Sequence, residues 1–111
     1  LEISSRVVDD ALIATVDAQR IDSAVAVQFK DKMREVTENG FKRVILDLSN
    51  VNFLDSSGLG AVVAAMKQLG SERTLEIAGL TGAVEKVFKL TRMDTVFIIH
   101  PNAGAATSCA S

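Results

Sequence analysis

The chain has 111 residues, 48% of them apolar and 23% charged, with 12 basic and 14 acidic side chains and a net charge of -2. That length holds one domain with a substantial core, and the balance is that of a globular protein, neither disordered nor collagen-like. A slightly acidic chain offers no field for a nucleic-acid backbone, and its longest uninterrupted apolar run, Ala61 to Met66, falls far short of the roughly 20 residues a membrane helix needs.

The sequence begins at Leu1, which predicts a trimmed N-terminus, and no basic-then-apolar leader opens it, so the expected compartment is the cytoplasm. Leu1–Val8 and Ala11–Val16 each read as a strand, joined by the turn-forming pair Asp9-Asp10 into a hairpin. Ser23 offers an N-cap hydroxyl to a first helix, whose stripe is Val25, Phe29, Met33 and Val36 and whose stop is Asn39-Gly40. Val44–Leu48, "VILDL", is a short β-branched run of the kind found in buried central strands.

A second helical stripe follows, Leu59, Val62, Val63, Met66 and Leu69, closed by Gly70. Thr74–Ala78 alternates like a strand, and Thr81 can cap a third helix whose inner face is Val84, Val87 and Phe88. Thr95–Ile99 reads as a last strand, interrupted by Pro101. The expected fold is α/β in the order β-β-α-β-α-β-α-β, with a mainly parallel sheet of four to five strands and helices packed on it. Residues 1–100 make the domain, and 101–111 form a tail that is a short helix or disordered. The single Cys109, in that tail, can make neither an internal disulfide nor a redox pair and reads as a passive thiol.

The segment "NFLDSSGLGAVVAAM", Asn52 to Met66, carries the chemistry. Asp55 follows a strand-like end and Leu59 begins a helical stripe, so Ser56 or Ser57 stands at the positive end of a helix. Three readings compete. Asp and Ser are good N-caps, and glycine permits a close approach to the sheet. A nucleophilic serine needs a strand-to-helix elbow of the Gly-x-Ser-x-Gly kind and a base; here the leading glycine is missing and the one histidine, His100, follows the last strand beside Pro101. The third reading is a docking face. With the large apolar residues turned inward, Ser57, Gly60, Ala61 and Ala64 fall outward, a small uncharged surface where a solvated helix would carry Lys and Glu. A phosphate on a hydroxyl at its rim would add about -1.5 to -2 charges.

The stretch "VILDLSNVNFLDSSGLGAVVAAMKQLG", Val44 to Gly70, closely resembles the STAS family, specifically bacterial anti-sigma factor antagonists, and the likeness extends more weakly over nearly all the chain. The resemblance implies a binding protein and not an enzyme. In the family, the unphosphorylated antagonist sequesters an anti-sigma factor, a serine kinase of the histidine-kinase-like ATPase fold, and so frees a sigma factor. That kinase phosphorylates the first serine after the aspartate, which matches Ser56, and a PP2C-type serine phosphatase reverses the modification. By the same matching, Asp22 lies near the phosphorylation site, Ser57, Gly58, Leu59 and Gly60 line the contact, and Asp55 fixes the turn. Asp22 also has a plainer reading, capping the first helix together with Ser23.

Two departures stand out. The family's Gly-Glu-Leu-Asp is here Gln19-Arg20-Ile21-Asp22, which reverses a charge beside the presumed interface, and the tail lacks the leucine-bearing last helix of relatives. The alternative function is a non-switching STAS scaffold in a transporter or stress-signalling complex. A phosphoacceptor receiver domain, a third class, needs a lysine after its final strand, and no lysine or arginine follows Arg92. No glycine loop leads to a phosphate-binding lysine, so neither a cofactor nor a metal is expected.

Overall fold

A computed structural model describes residues 1–107, so the expectation for Cys109 lies outside the described residues. Asp9 takes φ 55°, a left-handed conformation that Asp tolerates better than most residues. With Asp10 it joins β1 (Ile3–Val8) to β2 (Ala11–Val16) antiparallel, Val8 opposite Ala11. The chain continues through β3 (Arg20–Ile21), α1 (Ala26–Val36), β4 (Arg43–Asp47), β5 (Phe53–Leu54), α2 (Ser56–Leu69), β6 (Thr74–Ala78), α3 (Gly82–Leu90), a 3-10 turn at Met93–Thr95, β7 (Ile99–His100) and α4 (Ala103–Thr107).

Five strands form one sheet in the order β1-β2-β4-β6-β7, parallel from β2 onward. The "VILDL" run sits in its middle, where Val44, Ile45 and Leu46 are fully buried because both faces are covered. One face, carrying Ala14, Val16, Val44, Leu46, Leu75 and Ile77, packs against Phe29 and Met33 of α1, Val62 and Ala65 of α2, and Val84 and Phe88 of α3. The other face presents Ala11, Ile13, Ile45 and Ala78 to Ala103 and Ala106 of α4. The tail therefore covers the sheet face away from α2, and its residues up to Thr107 belong to the packed body.

Three local expectations change. Ser23 does not cap α1, which starts at Ala26 with Val25 at its N-cap position and no side-chain cap. Thr81 stands at the N-cap position of α3, but its hydroxyl donates to the Val51 carbonyl (2.8 Å) and so ties the helix to the loop after β4. The last strand is shorter and later than Thr95–Ile99. Arg92, at φ 60°, ends α3, and Thr95 bonds back to the Arg92 carbonyl through both its N–H and its hydroxyl. Pairing with β6 begins only where Ile77 N–H meets the Ile98 carbonyl. Turn hydrogen bonds override the β propensity of "TVFII".

Candidate functional site

Two short strands that lie outside the main sheet build the site. β3 and β5 pair parallel, Arg20 opposite Phe53 and Ile21 opposite Leu54. Ile21 and Leu54 are buried and anchor this ribbon, while Arg20 and Phe53 are exposed on its outer side. Because the strands run the same way, Asp22 and the pair Asp55-Ser56 leave the ribbon at the same end. The Asp55 N–H reaches the Ile21 carbonyl at 3.4 Å.

Asp55 has extended backbone (φ -99°, ψ -174°) and caps α2: its Oδ1 accepts the Gly58 N–H at 2.8 Å, and its carbonyl accepts the Leu59 N–H at 2.9 Å. The cap is thus the aspartate and neither serine. Ser56 and Ser57 are exposed in the first turn, and among the described residues their hydroxyls make no hydrogen bond. The fold leaves both free for other chemistry.

Gly58 is buried where α2 meets the ribbon. A Cβ there would lie 2.0 Å from the Ile21 carbonyl oxygen and 2.8 Å from Leu54 Cδ1, so only glycine fits. This contact sets the rotation of the helix and corrects the outward face expected above. With Gly58 turned to the ribbon, Ala61, Val62, Ala65 and Leu69 follow it inward at helical spacing, and Leu59 is buried beside them. Ala61 is therefore a core residue, 3% exposed, while Val63 and Met66, expected inside, are half-buried. The outer face is Ser56, Ser57 and Gly60, with Ala64 half-buried at its edge and the first charge at Lys67. Around Gly60 a Cβ would meet nothing within 4 Å, so the fold itself does not require glycine at that position.

Asp22 is half-buried and does not cap α1. Its Oδ1 accepts the Ala24 N–H (3.1 Å), closing a turn ahead of that helix, and its Oδ2 accepts Arg20 Nε at 3.3 Å. The Arg20 guanidinium carbon lies 4.1 Å from the centre of the Phe53 ring. Sequence reasoning noticed Arg20 as a charge reversal and missed Phe53 and the ribbon. The signal was present in two similar tetrapeptides, Gln19-Arg20-Ile21-Asp22 and Asn52-Phe53-Leu54-Asp55, each a polar residue, a large one, an aliphatic anchor and an aspartate. Their registry is sealed where Asn52 N–H meets the Gln19 carbonyl at 2.8 Å.

His100 lies elsewhere. Its Nε2 is 2.7 Å from Glu76 Oε1, and Glu76 takes a two-pronged bond from Arg43 (2.8 Å on each oxygen). Arg43 Nη2 also donates to the Ala106 carbonyl of α4, at 2.9 Å. The cluster sits on the sheet face opposite α2, so the chain's histidine is not brought to Ser56. The Arg43 hydrogen bonds, helped by His100 and opposed by burial, hold the Glu76 carboxyl at about 2, below its ordinary 4.5. Among the described residues no helix is long and apolar enough to cross a membrane.

Comparison with known proteins identifies the fold family. The STAS domain family model matches residues 2–106. The chain is similar to an anti-sigma-B factor antagonist of Staphylococcus aureus, 25% identical over 85 residues that cover 76% of this chain and 77% of that one. It is also similar to BtrV of Bordetella bronchiseptica, named for an anti-sigma factor antagonist, 28% identical over 102 residues covering 91% and 87%. A crystal structure from Thermotoga maritima, described as an anti-sigma factor antagonist, superposes with a TM-score of 0.83 at 25% identity, covering 96% of this chain and 92% of that one. By name, these relatives are antagonists of anti-sigma factors. With the family model matching residues 2–106, almost the whole of the chain, the chain belongs to the STAS domain family.

Proposed function

We propose that this chain is a phosphorylation-switched binding module, an anti-sigma factor antagonist that holds an anti-sigma factor serine kinase while Ser56 is unmodified and loses it once Ser56 is phosphorylated. The kinase is of the histidine-kinase-like ATPase fold, and a PP2C-type phosphatase resets the site. The observation that carries the reading is the exposed Ser56 hydroxyl, excused from capping by Asp55, on a face whose Gly60 serves no internal packing need.

In the modification, the Ser56 oxygen forms a bond to the terminal phosphorus of ATP. The bond to the leaving oxygen breaks, ADP departs, and the hydroxyl proton passes to a base of the kinase. The positive end of α2 tolerates the new charge, so the fold persists. A partner that presents carboxylates to a neutral face does not tolerate it, since like charges brought together across an interface cost several kcal/mol. At about 1.4 kcal/mol per tenfold in affinity, one phosphate is enough to dissolve a tight complex. Ser57, Gly60 and Ala64 belong to this docking region and Asp22 lies at its rim, while Gly58, Leu59 and Ala61, expected to line the contact, are buried and support it from beneath.

Calorimetry against the cognate kinase tests the reading. Ser56→Ala is expected to bind as tightly as the unmodified protein and to resist phosphorylation, while enzymatically phosphorylated protein binds about 100-fold more weakly or less, a loss of about 3 kcal/mol or more. Equal affinity for the phosphorylated and unmodified forms would remove the switch and leave a constitutive scaffold.

A further inference from the structure

Arg20 has an arrangement that the docking reading does not use. Its side chain is 60% exposed, yet it is held from two directions, over the Phe53 ring at 4.1 Å and against Asp22 Oδ2 at 3.3 Å. Neither contact is needed to anchor the ribbon, which Ile21 and Leu54 attach to the core. In the parallel β3–β5 pair, the guanidinium leans forward along β3 toward Asp22, and that is the end at which β5 delivers Asp55 and Ser56. Arg20 is thus exposed yet held, through Nε on Asp22 and its guanidinium on the Phe53 ring, on the ribbon whose end also delivers Ser56.

We propose that Arg20 is the internal counter-ion of phosphorylated Ser56: the guanidinium exchanges Asp22 for the phosphate, with the Phe53 ring as its platform. The inference rests on the reading of Ser56 as a phosphorylation site. A carboxylate offers one negative charge, and the Asp22 carboxylate already spends one oxygen on the Ala24 N–H. A phosphoserine offers about -1.5 to -2 charges and three acceptor oxygens matched to the guanidinium fork. The Arg20 side of the ion pair with Asp22 is exposed to solvent, which weakens the pair, so it yields readily. The exchange has a consequence for the docking face. Before modification Arg20 and Asp22 cancel; afterwards Arg20 offsets part of the phosphate charge and Asp22 stands uncovered at the ribbon end that also carries Asp55. One modification then presents an approaching partner with two separate anionic groups where it previously met none uncompensated except the cap.

The test uses full-length chain carrying phosphoserine placed at position 56 during translation, so that no kinase is involved. The second ionisation of the phosphate, ordinarily near pH 6, is followed by phosphorus NMR. Arg20→Gln is expected to raise its midpoint by about half a unit to one unit relative to the otherwise unchanged protein, a change of roughly 3- to 10-fold in the proton equilibrium. The field of α2 acts equally on both proteins and cancels. Arg6→Gln, the same loss of charge placed on β1, is expected to leave the midpoint where it was. Equal midpoints with and without Arg20, or an equal shift from Arg6→Gln, would overturn the proposal. A kinase that never modifies Ser56 would defeat the switch without touching this result, so the two failures are distinguishable.

Discussion

A methyl group built on Gly58 lies 2.0 Å from the Ile21 carbonyl oxygen, whereas one built on Gly60 meets nothing within 4 Å. Two glycines in one helical turn therefore answer to different demands. Gly58 lets the backbone of α2 touch the ribbon and so decides which side of the helix faces the core. Gly60 weakens the helix by up to about 1 kcal/mol relative to alanine and gains nothing inside the molecule in return. Gly58→Ala is predicted to cost about 2–3 kcal/mol through overpacking against backbone that cannot step aside. Gly60→Ala is predicted to stabilise the isolated protein by up to about 1 kcal/mol and, under the docking reading, to weaken the partner complex. Urea midpoints of the two variants check the first pair of signs. A Gly60→Ala protein less stable than its parent would show that the glycine has a folding role after all.

At the scale of elements, α4 is the one whose importance the sequence hid. It spans only Ala103–Thr107, and its inward side chains are the methyls of Ala103 and Ala106. An isolated helix of that length has no stability of its own. Its value comes from what it covers, the alanines and the two isoleucines Ile13 and Ile45 on the second sheet face, with Arg43 bonded to the Ala106 carbonyl. Re-exposing a buried isoleucine costs about 1.5–3 kcal/mol, so deleting the chain from Ala103 onward is expected to remove several kcal/mol. For a domain of this size that lowers the melting temperature by more than about 10 °C. Calorimetry of the truncated protein checks it, and an unchanged melting temperature would mean that the helix contributes no net stability.

Across the whole molecule, Glu76 joins β6 to β4 through Arg43 and to β7 through His100, and through Arg43 it reaches α4. Its carboxyl is buried and held at about 2, against an ordinary 4.5 in the unfolded chain. A carboxyl depressed by folding stabilises the native state above its unfolded value, and the contribution disappears as pH falls through its folded one. Stability from this cluster is thus expected in full above about pH 4.5 and to be lost between there and pH 2. Its size is on the order of 3 kcal/mol. Urea titrations from pH 6 to 2 should show a decline in wild type that is much shallower in Glu76→Gln, a variant already weakened at neutral pH by the half-buried charge of Arg43. Parallel declines would assign the acid sensitivity to other carboxylates.

Several features were legible in the residues alone because one local rule governs each. The spans Ala11–Val16 and Thr74–Ala78 follow from pattern, the central strand from its β-branched run, and α2 from the change of period after Asp55. The prominence of Ser56 follows from a motif in which a short acidic cap precedes two hydroxyls and two glycines. Other features were decided only by tertiary contact. The two-residue strands of the ribbon are too short for any periodicity and exist because distant segments pair. The rotation of α2, which puts Ala61 inside and leaves Val63 half-buried, was set by a single backbone contact at Gly58 and not by the sizes of the apolar side chains. The last strand gave way to a turn whose bonds close on Arg92, and the tail took the sheet face away from the serines. Sequence by itself determined the main helices, most of the long strands and where the hydroxyl stands; three-dimensional packing determined the ribbon and which surface surrounds that hydroxyl, because a helix's orientation depends on where its backbone can come closest to the rest of the chain.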